Sequence, residues 1–283
     1  MYKKTDNLLM QASLPTYVSG LIGAPWVNAG AMTNKGVEFT LNTRNILTHD
    51  FTWTSGLTFS INRNEVTKLY SESSAISGIN GNETLTYTMV GEPVGQFYGY
   101  KVIGMFKEES DFYKKDADGN FQLDEAGNRI RIAIPKGQQI SKNGIWVGDY
   151  IYEDLHEDGV IDEKDRTFLG NPAPKFTFGF NNYFAYKGFD LNIFLNGSVG
   201  NKAVNLIRRT FTDPMRNSNL LKEATDIALI GMHDPEVGDE ELSNVYIVNA
   251  DRAKVQRVTT SSANDNNRIS SRFIEDASYL RIK

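Results

Sequence analysis

The sequence contains no cysteine. This absence excludes a disulfide framework, a cysteine nucleophile and a thiolate metal site. The sequence also lacks any run of about 18 to 20 apolar residues, the length that a membrane-spanning helix requires. Basic charge is not in excess, because 35 acidic residues outnumber 30 basic ones, and nucleic acid is therefore not an expected partner.

At 283 residues the chain is long enough to bury a sizeable core in one or two domains. Its first residues, MYKKTDNLLMQASL, include no apolar run of the length found in signal peptides. These features are typical of a soluble protein without an export signal. They are also compatible with a membrane β-barrel, whose strands carry no long apolar run.

Groups suited to catalysis are scarce. The only histidines are His49, His156 and His233, and the sequence has no G-x-S-x-G motif of the kind that forms a nucleophile elbow. His49 falls in a predicted short turn, where we expect its ring to be solvated. We therefore predict that the protein is not an enzyme.

Apolar and polar residues alternate with a period of two, which is the pattern of a β-strand with two different faces. It occurs in GVEFTLNTRN from Gly36, FTWTSGLTFSIN from Phe51, KFTFGFNNYFAY from Lys175 and FDLNIFLNGSV from Phe189. One face of each strand is aliphatic or aromatic, and the other is mostly Thr, Ser, Gly and Asn. Asn182 is the exception, because it falls among the apolar residues of its strand.

The third and fourth of these strands are predicted to form a β-hairpin. If Lys187 and Gly188 are its two-residue loop, Tyr186 and Phe189 pair across the turn and point to the same side. Gly188 provides the positive φ that such a turn needs. The apolar residues of both strands then share one face of the hairpin without any shift in register.

The connections between the predicted strands are unequal in length. The turns NILTHD and KG are short, whereas polar, glycine-rich stretches occupy about 63–91, 104–174 and 200–272. Outer-membrane barrels have short turns at one end and long loops at the other. A soluble β-sandwich produces the same alternation. Because the polar faces are small and uncharged and the apolar faces unusually aromatic, we predict an all-β fold and favour an antiparallel transmembrane β-barrel over the sandwich.

An acidic segment, DLHEDGVIDEKD, has the ligand spacing of an EF-hand calcium loop, with Gly159 at the turn position. The predicted ligands are Asp154, His156, Asp158, the carbonyl of Val160, Asp162 and Asp165. Imidazole is a poor ligand for calcium, and Asp165 is shorter than the bidentate Glu usual at the last position, which predicts weak binding. The alternative is a solvated acidic turn whose Asp side chains cap their own backbone.

Several longer segments resemble the SusC/RagA family of TonB-dependent outer-membrane transporters. These segments are NAGAMTNKGVEFTLNTRN, GEPVGQFYGYKVIGMF, the stretch GDYIYEDLHEDGVIDEKDRTFLGNPAPKFTFGF with the hairpin after it, and the closing FIEDASYLRIK. The resemblance runs from about Tyr2 to Lys283. It implies a 22-stranded barrel of which this chain is one part, without the plug domain and the last strands, and with its long loops extracellular.

The resemblance also implies a function. Members of the family import glycans or oligopeptides across the outer membrane, together with a SusD-like surface lipoprotein, and are energised through TonB. The expected partners are therefore outer-membrane lipid, that lipoprotein, TonB through a region outside this sequence, and an oligosaccharide or peptide substrate. The competing hypothesis is a soluble secreted β-rich domain that binds calcium and carbohydrate, and solubility without detergent would distinguish it.

Three further segments lead to smaller predictions. Trp26 and Trp146 are predicted to lie in loops, where either indole could stack on a sugar ring. The second acidic segment, DADGNFQLDEAG at 116–127, has its glycine at the wrong offset for an ion loop. We expect it to form a pair of hairpin turns and assign it no metal.

Overall fold

A computed structural model describes residues 1–11, 26–70, 75–81, 83–261 and 263–283 of the chain. β-Strand is the main regular structure of the described residues, and they form two compact units. Unit 1 comprises Met1–Phe97, Gly170–Ala203 and Ile274–Lys283, and unit 2 comprises Tyr98–Leu169 and Val204–Phe273. None of the helices in the described residues has the length and apolar character needed to cross a bilayer.

Unit 1 is built on a six-stranded antiparallel sheet with the strand order β1-β2-β3-β12-β13-β18. The bounds of these strands are β1 Tyr2–Gln11, β2 Trp26–Leu47, β3 Phe51–Lys68, β12 Phe176–Tyr186, β13 Phe189–Val199 and β18 Tyr279–Ile282. All four strands predicted from alternation are present. The prediction of an all-β fold with antiparallel strands is therefore confirmed.

The hairpin between β12 and β13 has the predicted register. Tyr186 pairs with Phe189, and the pairing continues without a shift to Phe176 and Val199. Lys187 and Gly188 have φ values of 44° and 88°. Positive φ at both central residues is the property of a type I′ turn, whose twist matches that of the flanking strands.

β2 and β3 are longer than the alternation indicated. β3 continues from Asn62 to Lys68, into the stretch expected to be loop, and pairs there with the first half of β2. From Asn62 to Lys68 only Val66 is apolar, so no amphipathic signal marks this part of the strand. Backbone hydrogen bonds to β2 continue the ladder there, and Val66 is buried with Leu69 in a small apolar cluster.

The rest of the expected loop at 63–91 also contains strands. β4 spans Ile76–Asn80 and forms an antiparallel hairpin with β5, Glu83–Thr88. β5 then pairs through Thr86 and Tyr87 with the beginning of β6, Gln96–Tyr100.

Unit 2 consists of short elements around two apolar clusters. The strands within it or at its margins are β7 Val102–Met105, β8 Ile134–Pro135, β9 Tyr150–Tyr152, β10 Val160–Ile161, β11 Arg166–Gly170, β14 Lys202–Val204, β15 Ile230–Met232 and β16 Val245–Ile247. The helix α1 spans Leu206–Phe211, and β17 of unit 1 spans Ile274–Asp276. Single helical turns of the 3₁₀ type occupy Glu109–Phe112, Glu163–Asp165, Lys222–Asp226, Leu242–Asn244 and Ser271–Phe273.

The larger cluster of unit 2 contains Phe106 stacked on Phe112, with ring centroids 4.0 Å apart, and Trp146. Trp146 is only 4% exposed. The prediction that its indole could stack on a sugar ring is therefore wrong, because the ring is part of the apolar core. Sequence alone did not indicate this burial, since no periodic strand or helix pattern surrounds Trp146. Trp26 opens β2 and is 62% exposed.

The segment at 116–127 forms two turns, as expected. The carboxylate of Asp116 accepts hydrogen bonds from the backbone N–H groups of Asp118 and Asn120. The carboxylate of Asp124 accepts in the same way from Ala126 and Asn128. The backbone N–H of Asn120 lowers the pKa of Asp116, and that of Asn128 lowers the pKa of Asp124. Each carboxylate thus stabilises a turn of its own backbone.

Candidate functional site

The six-stranded sheet presents one apolar face, formed by rows of residues that pair across the strands. One such row is Phe39, Phe59 and Phe178, and the row beside it is Leu41, Leu57 and Phe180. We use the term apolar face for Val37, Phe39, Leu41, Leu57, Phe59, Ile61, Phe176, Phe178, Phe180, Leu191, Ile193 and Leu195. Successive side chains of a strand point to opposite sides, so all twelve lie on the same side of the sheet.

Among the residues that the structure describes, no second layer of protein covers this face. Val37 is 63% exposed and Leu191 is 56% exposed, while Phe176 and Phe178 are half-buried by their neighbours in the sheet. None of the twelve belongs to the buried apolar clusters found in the described residues. A sandwich would have enclosed Leu191 and the phenylalanines, and the structure does not have that arrangement.

On the apolar face, an aromatic ring covers the position where a glycine provides no side chain. A Cβ atom added to Gly197 would lie 2.5 Å from the ring of Phe178, which shows that this ring lies directly over the glycine. The rings of Phe59 and Phe176 are 5.4 Å apart, and those of Phe176 and Phe178 are 6.4 Å apart. Gly197 therefore leaves no gap in the apolar face.

A second aromatic group lies where the short turns are. Trp53 stacks on Phe184 with centroids 5.7 Å apart, and Phe51 meets the edge of Tyr186 at 6.5 Å. Tyr186 ends β12 before one turn, and Phe51 begins β3 after the other. This end of the sheet thus has an aromatic group of its own.

Asn182, the exception to the alternation, lies on the apolar face within a hydrogen-bonded group. Its Oδ1 accepts from the indole Nε1 of Trp53 at 3.2 Å and from the hydroxyl of Ser55 at 2.7 Å. The amide of Asn45 in turn donates to the Ser55 hydroxyl at 2.7 Å. Thr43 pairs with Ser55 in the sheet. A polar group that bonds its neighbours loses less free energy in an apolar setting than an isolated one.

The opposite side of the sheet is polar. A groove of ≈ 410 Å³ lies on it, lined among others by Asn42, Arg44, Thr58, Asn181 and Phe194. Most of these side chains are small and neutral. Along each strand they alternate with the side chains of the apolar face. This polar face offers hydrogen-bond donors and acceptors rather than a strong charge of one sign.

The acidic segment forms a compact loop with no helix before it and one 3₁₀ turn at its end. Oδ2 of Asp154 accepts from the N–H of Gly159 at 3.0 Å, and Oδ1 of Asp158 accepts from the N–H of Val160 at 3.2 Å. Oδ1 of Asp162 accepts from Lys164 at 2.9 Å, and the N–H of Lys164 is the largest cause of a lowered pKa at Asp162. Oδ1 of Asp154 is buried and has no hydrogen-bond partner.

Asp165 faces inward in this loop and is 1% exposed. One of its oxygens accepts from the N–H of Leu155 at 3.0 Å, and the other from the N–H of Asp162 at 2.8 Å. The ring of His156, a predicted ligand, lies 3.7 Å from the first oxygen. In the part of the chain that the structure describes, no three His, Asp or Glu side chains are grouped closely enough to hold a metal. Calcium binding by this loop stays a prediction.

A buried ion pair in unit 2 was not predicted from the sequence. The guanidinium of Arg257 donates to both oxygens of Asp149, from Nε at 3.0 Å and from Nη2 at 3.1 Å. Asp149 also accepts from Asn266 at 2.8 Å and from the N–H of Trp146 at 2.8 Å. Burial raises the pKa of Asp149, and the Arg257 guanidinium opposes that rise.

This ion pair joins segments that are far apart in the sequence. The remaining donors of Arg257 bond the carbonyls of Lys142 and Gly144 at 2.9 Å each. Partners separated by more than a hundred residues leave no local pattern, and no feature of the sequence singles out Asp149 or Arg257. His49, by contrast, has a fully exposed side chain in the turn between β2 and β3, as expected.

Comparison with known proteins gives consistent relatives. No family model matches the chain. TonB-dependent receptor P3 of Formosa agariphila is 31% identical over 99% of this chain, and TonB-dependent receptor SusC of Bacteroides thetaiotaomicron is 24% identical over 91% of it. Among solved structures, the RagAB peptide transporter superposes on the whole chain with a TM-score of 0.64 and 20% identity.

The chain spans about a quarter of the length of these relatives: 24% of receptor P3, 23% of SusC and 25% of the RagAB chain. By their names all three are receptors or transporters, which is consistent with a protein that is not an enzyme. The match extends through both units of the chain. It therefore includes the sheet and the long segments between its strands.

Proposed function

Because the chain belongs to the SusC/RagA type of TonB-dependent receptors, we propose that it forms part of the barrel wall of an outer-membrane nutrient importer. In this proposal the apolar face contacts acyl chains and the polar face lines the lumen. One observation carries the proposal. The sheet leaves residues such as Val37 and Leu191 more than half exposed. Contact of this apolar surface with water is unfavourable by about 25 cal/mol for each Å² of exposed area.

The two long segments that build unit 2, at about 104–174 and 200–272, are proposed to be extracellular. Both connect strands at the end of the sheet opposite the short turns, as the long loops of outer-membrane barrels do. The packing of Phe106, Phe112 and Trp146 together with the buried Arg257–Asp149 pair supports folded rather than flexible segments. Such segments could provide a fixed surface for a substrate or a partner protein.

The proposed substrates are glycans or oligopeptides. The relative RagAB is named as a peptide transporter. A SusD-like surface lipoprotein is the proposed partner, and TonB the proposed source of energy. The neutral hydrogen-bonding side chains of the polar face suit either substrate, because both peptides and sugars offer N–H or O–H donors and carbonyl or hydroxyl acceptors.

Calcium in the acidic loop is a further part of the proposal. Two features support it: the N–H of Gly159 bonds one oxygen of Asp154, and the other oxygen of Asp154 is buried without a partner. A cation at that oxygen would satisfy it. Both oxygens of Asp165 accept hydrogen bonds from backbone N–H groups. To bind calcium, Asp165 would have to give up at least one of these hydrogen bonds.

Uptake by the full-length receptor tests the proposed function. Cells with the receptor and its neighbouring lipoprotein are compared with cells that lack the receptor and with cells that lack TonB, using fluorescent oligosaccharide and oligopeptide mixtures. We expect accumulation of one substrate class only when receptor and TonB are both present. Equal accumulation in all three strains, or a receptor that purifies as a soluble protein without detergent, would contradict the proposal.

A further inference from the structure

The apolar face is bordered at both ends by rows of different chemistry. Toward the long segments, Lys35 pairs with Arg63 directly beyond the apolar pair Val37 and Ile61. Lys35 and Arg63 are both exposed. Tyr2 of β1 pairs with Lys35 at the same level. This basic row combines two cations with a tyrosine, the residue types that lie at the level of lipid headgroups.

At the other end the apolar face is interrupted by the neutral row that contains Thr43, Ser55 and Asn182. A β-bulge between Arg44 and Ile46 adds Asn45 to this level, and its amide bonds the Ser55 hydroxyl. Trp53 follows, with its indole N–H directed to Asn182. The neutral row, with Asn45, therefore combines four polar side chains with an amphipathic indole, as expected where hydrocarbon gives way to polar lipid groups.

The spacing between the two rows is close to the height of the apolar band of an outer-membrane barrel. From Arg63 to Ser55 the strand rises about 27 Å, at about 3.4 Å per residue. A strand tilt of about 40° reduces this to about 20 Å along the bilayer normal. An apolar band of about 25 Å measured from Arg63 ends close to Trp53, next to the neutral row. The middle of that band falls at the row of Phe39, Phe59 and Phe178.

We propose that the neutral row lies at the ester level of the lipid layer on the short-turn side, and that Phe39, Phe59 and Phe178 mark the bilayer midplane. The inference rests on the proposed function and adds the depth at which the sheet is embedded. It accounts for Asn182, whose polar side chain is then at the edge of the hydrocarbon. It also places Phe51, Phe184 and Tyr186 among the headgroups, where aromatic girdles occur.

The competing arrangement has all apolar rows within hydrocarbon, down to Phe51 and Tyr186. The band from Arg63 to Phe51 would then be about 31 Å tall after correction for tilt. Its midplane would lie at Leu41 and Leu57, and the neutral row would be submerged. The two arrangements differ by about 5 Å in depth, which is one row of side chains.

Depth-dependent quenching of a fluorophore on β2 distinguishes these arrangements. The full-length receptor, with any cysteine outside this chain replaced by serine, carries one cysteine in turn at Val37, Phe39, Leu41 or Thr43. Each variant is labelled and reconstituted into dioleoylphosphatidylcholine vesicles containing lipids spin-labelled at a shallow or a deep acyl position. Thr40→Cys is the matched control, because its side chain points to the polar face.

We expect the ratio of deep to shallow quenching to be highest at Phe39 and to fall at least twofold at Thr43, with the Thr40 label quenched by neither lipid. A maximum at Leu41 or at Thr43 would overturn the assigned depth while leaving the membrane contact intact. Absence of quenching at all four apolar-face positions would instead contradict the proposed function. Ile193→Cys on β13, which pairs with Asn182, repeats the measurement at the neutral row should the Thr43 variant fail to assemble.

Discussion

Removal of the buried charge on Arg257 by Arg257→Met is expected to destabilise unit 2 strongly. The substitution removes two donors from Asp149 and leaves its carboxylate, which has no exposed surface, with only Asn266 and the N–H of Trp146. Breaking a buried pair by truncating one partner typically costs about 3–5 kcal/mol. The carbonyls of Lys142 and Gly144 lose their donor as well, so we expect the upper half of that range.

Amide hydrogen exchange of the full-length receptor, followed by mass spectrometry, measures this cost locally. Peptides covering 142–150 and 254–268 should exchange about 10³ times faster or more, since each 1.4 kcal/mol corresponds to a factor of ten. Lys101→Met is the matched control in the same unit. Its ion pair with Glu153 is largely exposed, and the loss of such a pair costs about 1 kcal/mol or less.

The double substitution Asp149→Leu with Arg257→Met completes the cycle. If the two charges stabilise each other, the double variant should be less destabilised than the sum of the single variants by about 2–3 kcal/mol. Additive effects, or an Arg257→Met receptor that exchanges no faster than the Lys101→Met control, would refute the interpretation that this pair holds the two segments together.

Three further predictions concern the sheet and the acidic loop. Phe178→Lys should cost about 2–4 kcal/mol of folding free energy in bilayers, whereas Thr177→Ser should cost almost nothing; equal tolerance in urea refolding into vesicles would contradict the assigned faces. Lys187→Asn, at a φ of 44°, should raise the urea midpoint by the equivalent of about 0.5 kcal/mol, because Asn tolerates the left-handed region better than Lys; a lowered midpoint would argue against the type I′ turn. Calorimetric titration with calcium should give heat that Asp154→Asn abolishes; no heat at millimolar calcium would dismiss the site.

The strands that cross the apolar face could be predicted because their two sides meet different surroundings. The alternation in Phe176–Tyr186 and Phe189–Val199 specifies strand type, face and, through Lys187-Gly188, register. β3 continues beyond Asn62, where Val66 is the one apolar residue among its last residues. A single buried apolar side chain gives no alternation, so the pattern that reveals a strand disappears although its hydrogen bonds continue.

Unit 2 could not be predicted from the sequence for a different reason. Its strands are two to five residues long, too short for a periodic pattern to be distinguished from chance. Its stabilising contacts join residues distant in sequence, such as Tyr150, whose hydroxyl bonds the carbonyl of Lys254 at 2.8 Å. Burial raises the pKa of that hydroxyl, so it remains a neutral donor. Only the local turns at Asp116 and Asp124 were recognisable, because their hydrogen bonds lie within five residues.

Asn182 shows how a residue that conflicts with a pattern can refine the interpretation. Taken alone it weakens the membrane hypothesis, since an unpaired amide facing acyl chains is unfavourable by a few kcal/mol. The sheet pairs it with Ser55 and brings it to the indole of Trp53, which are remote in sequence but adjacent in register. The conflict is then confined to one row, and a boundary between hydrocarbon and polar lipid at that row removes it. A polar residue on an otherwise apolar strand face therefore indicates where a membrane ends as much as whether one is present.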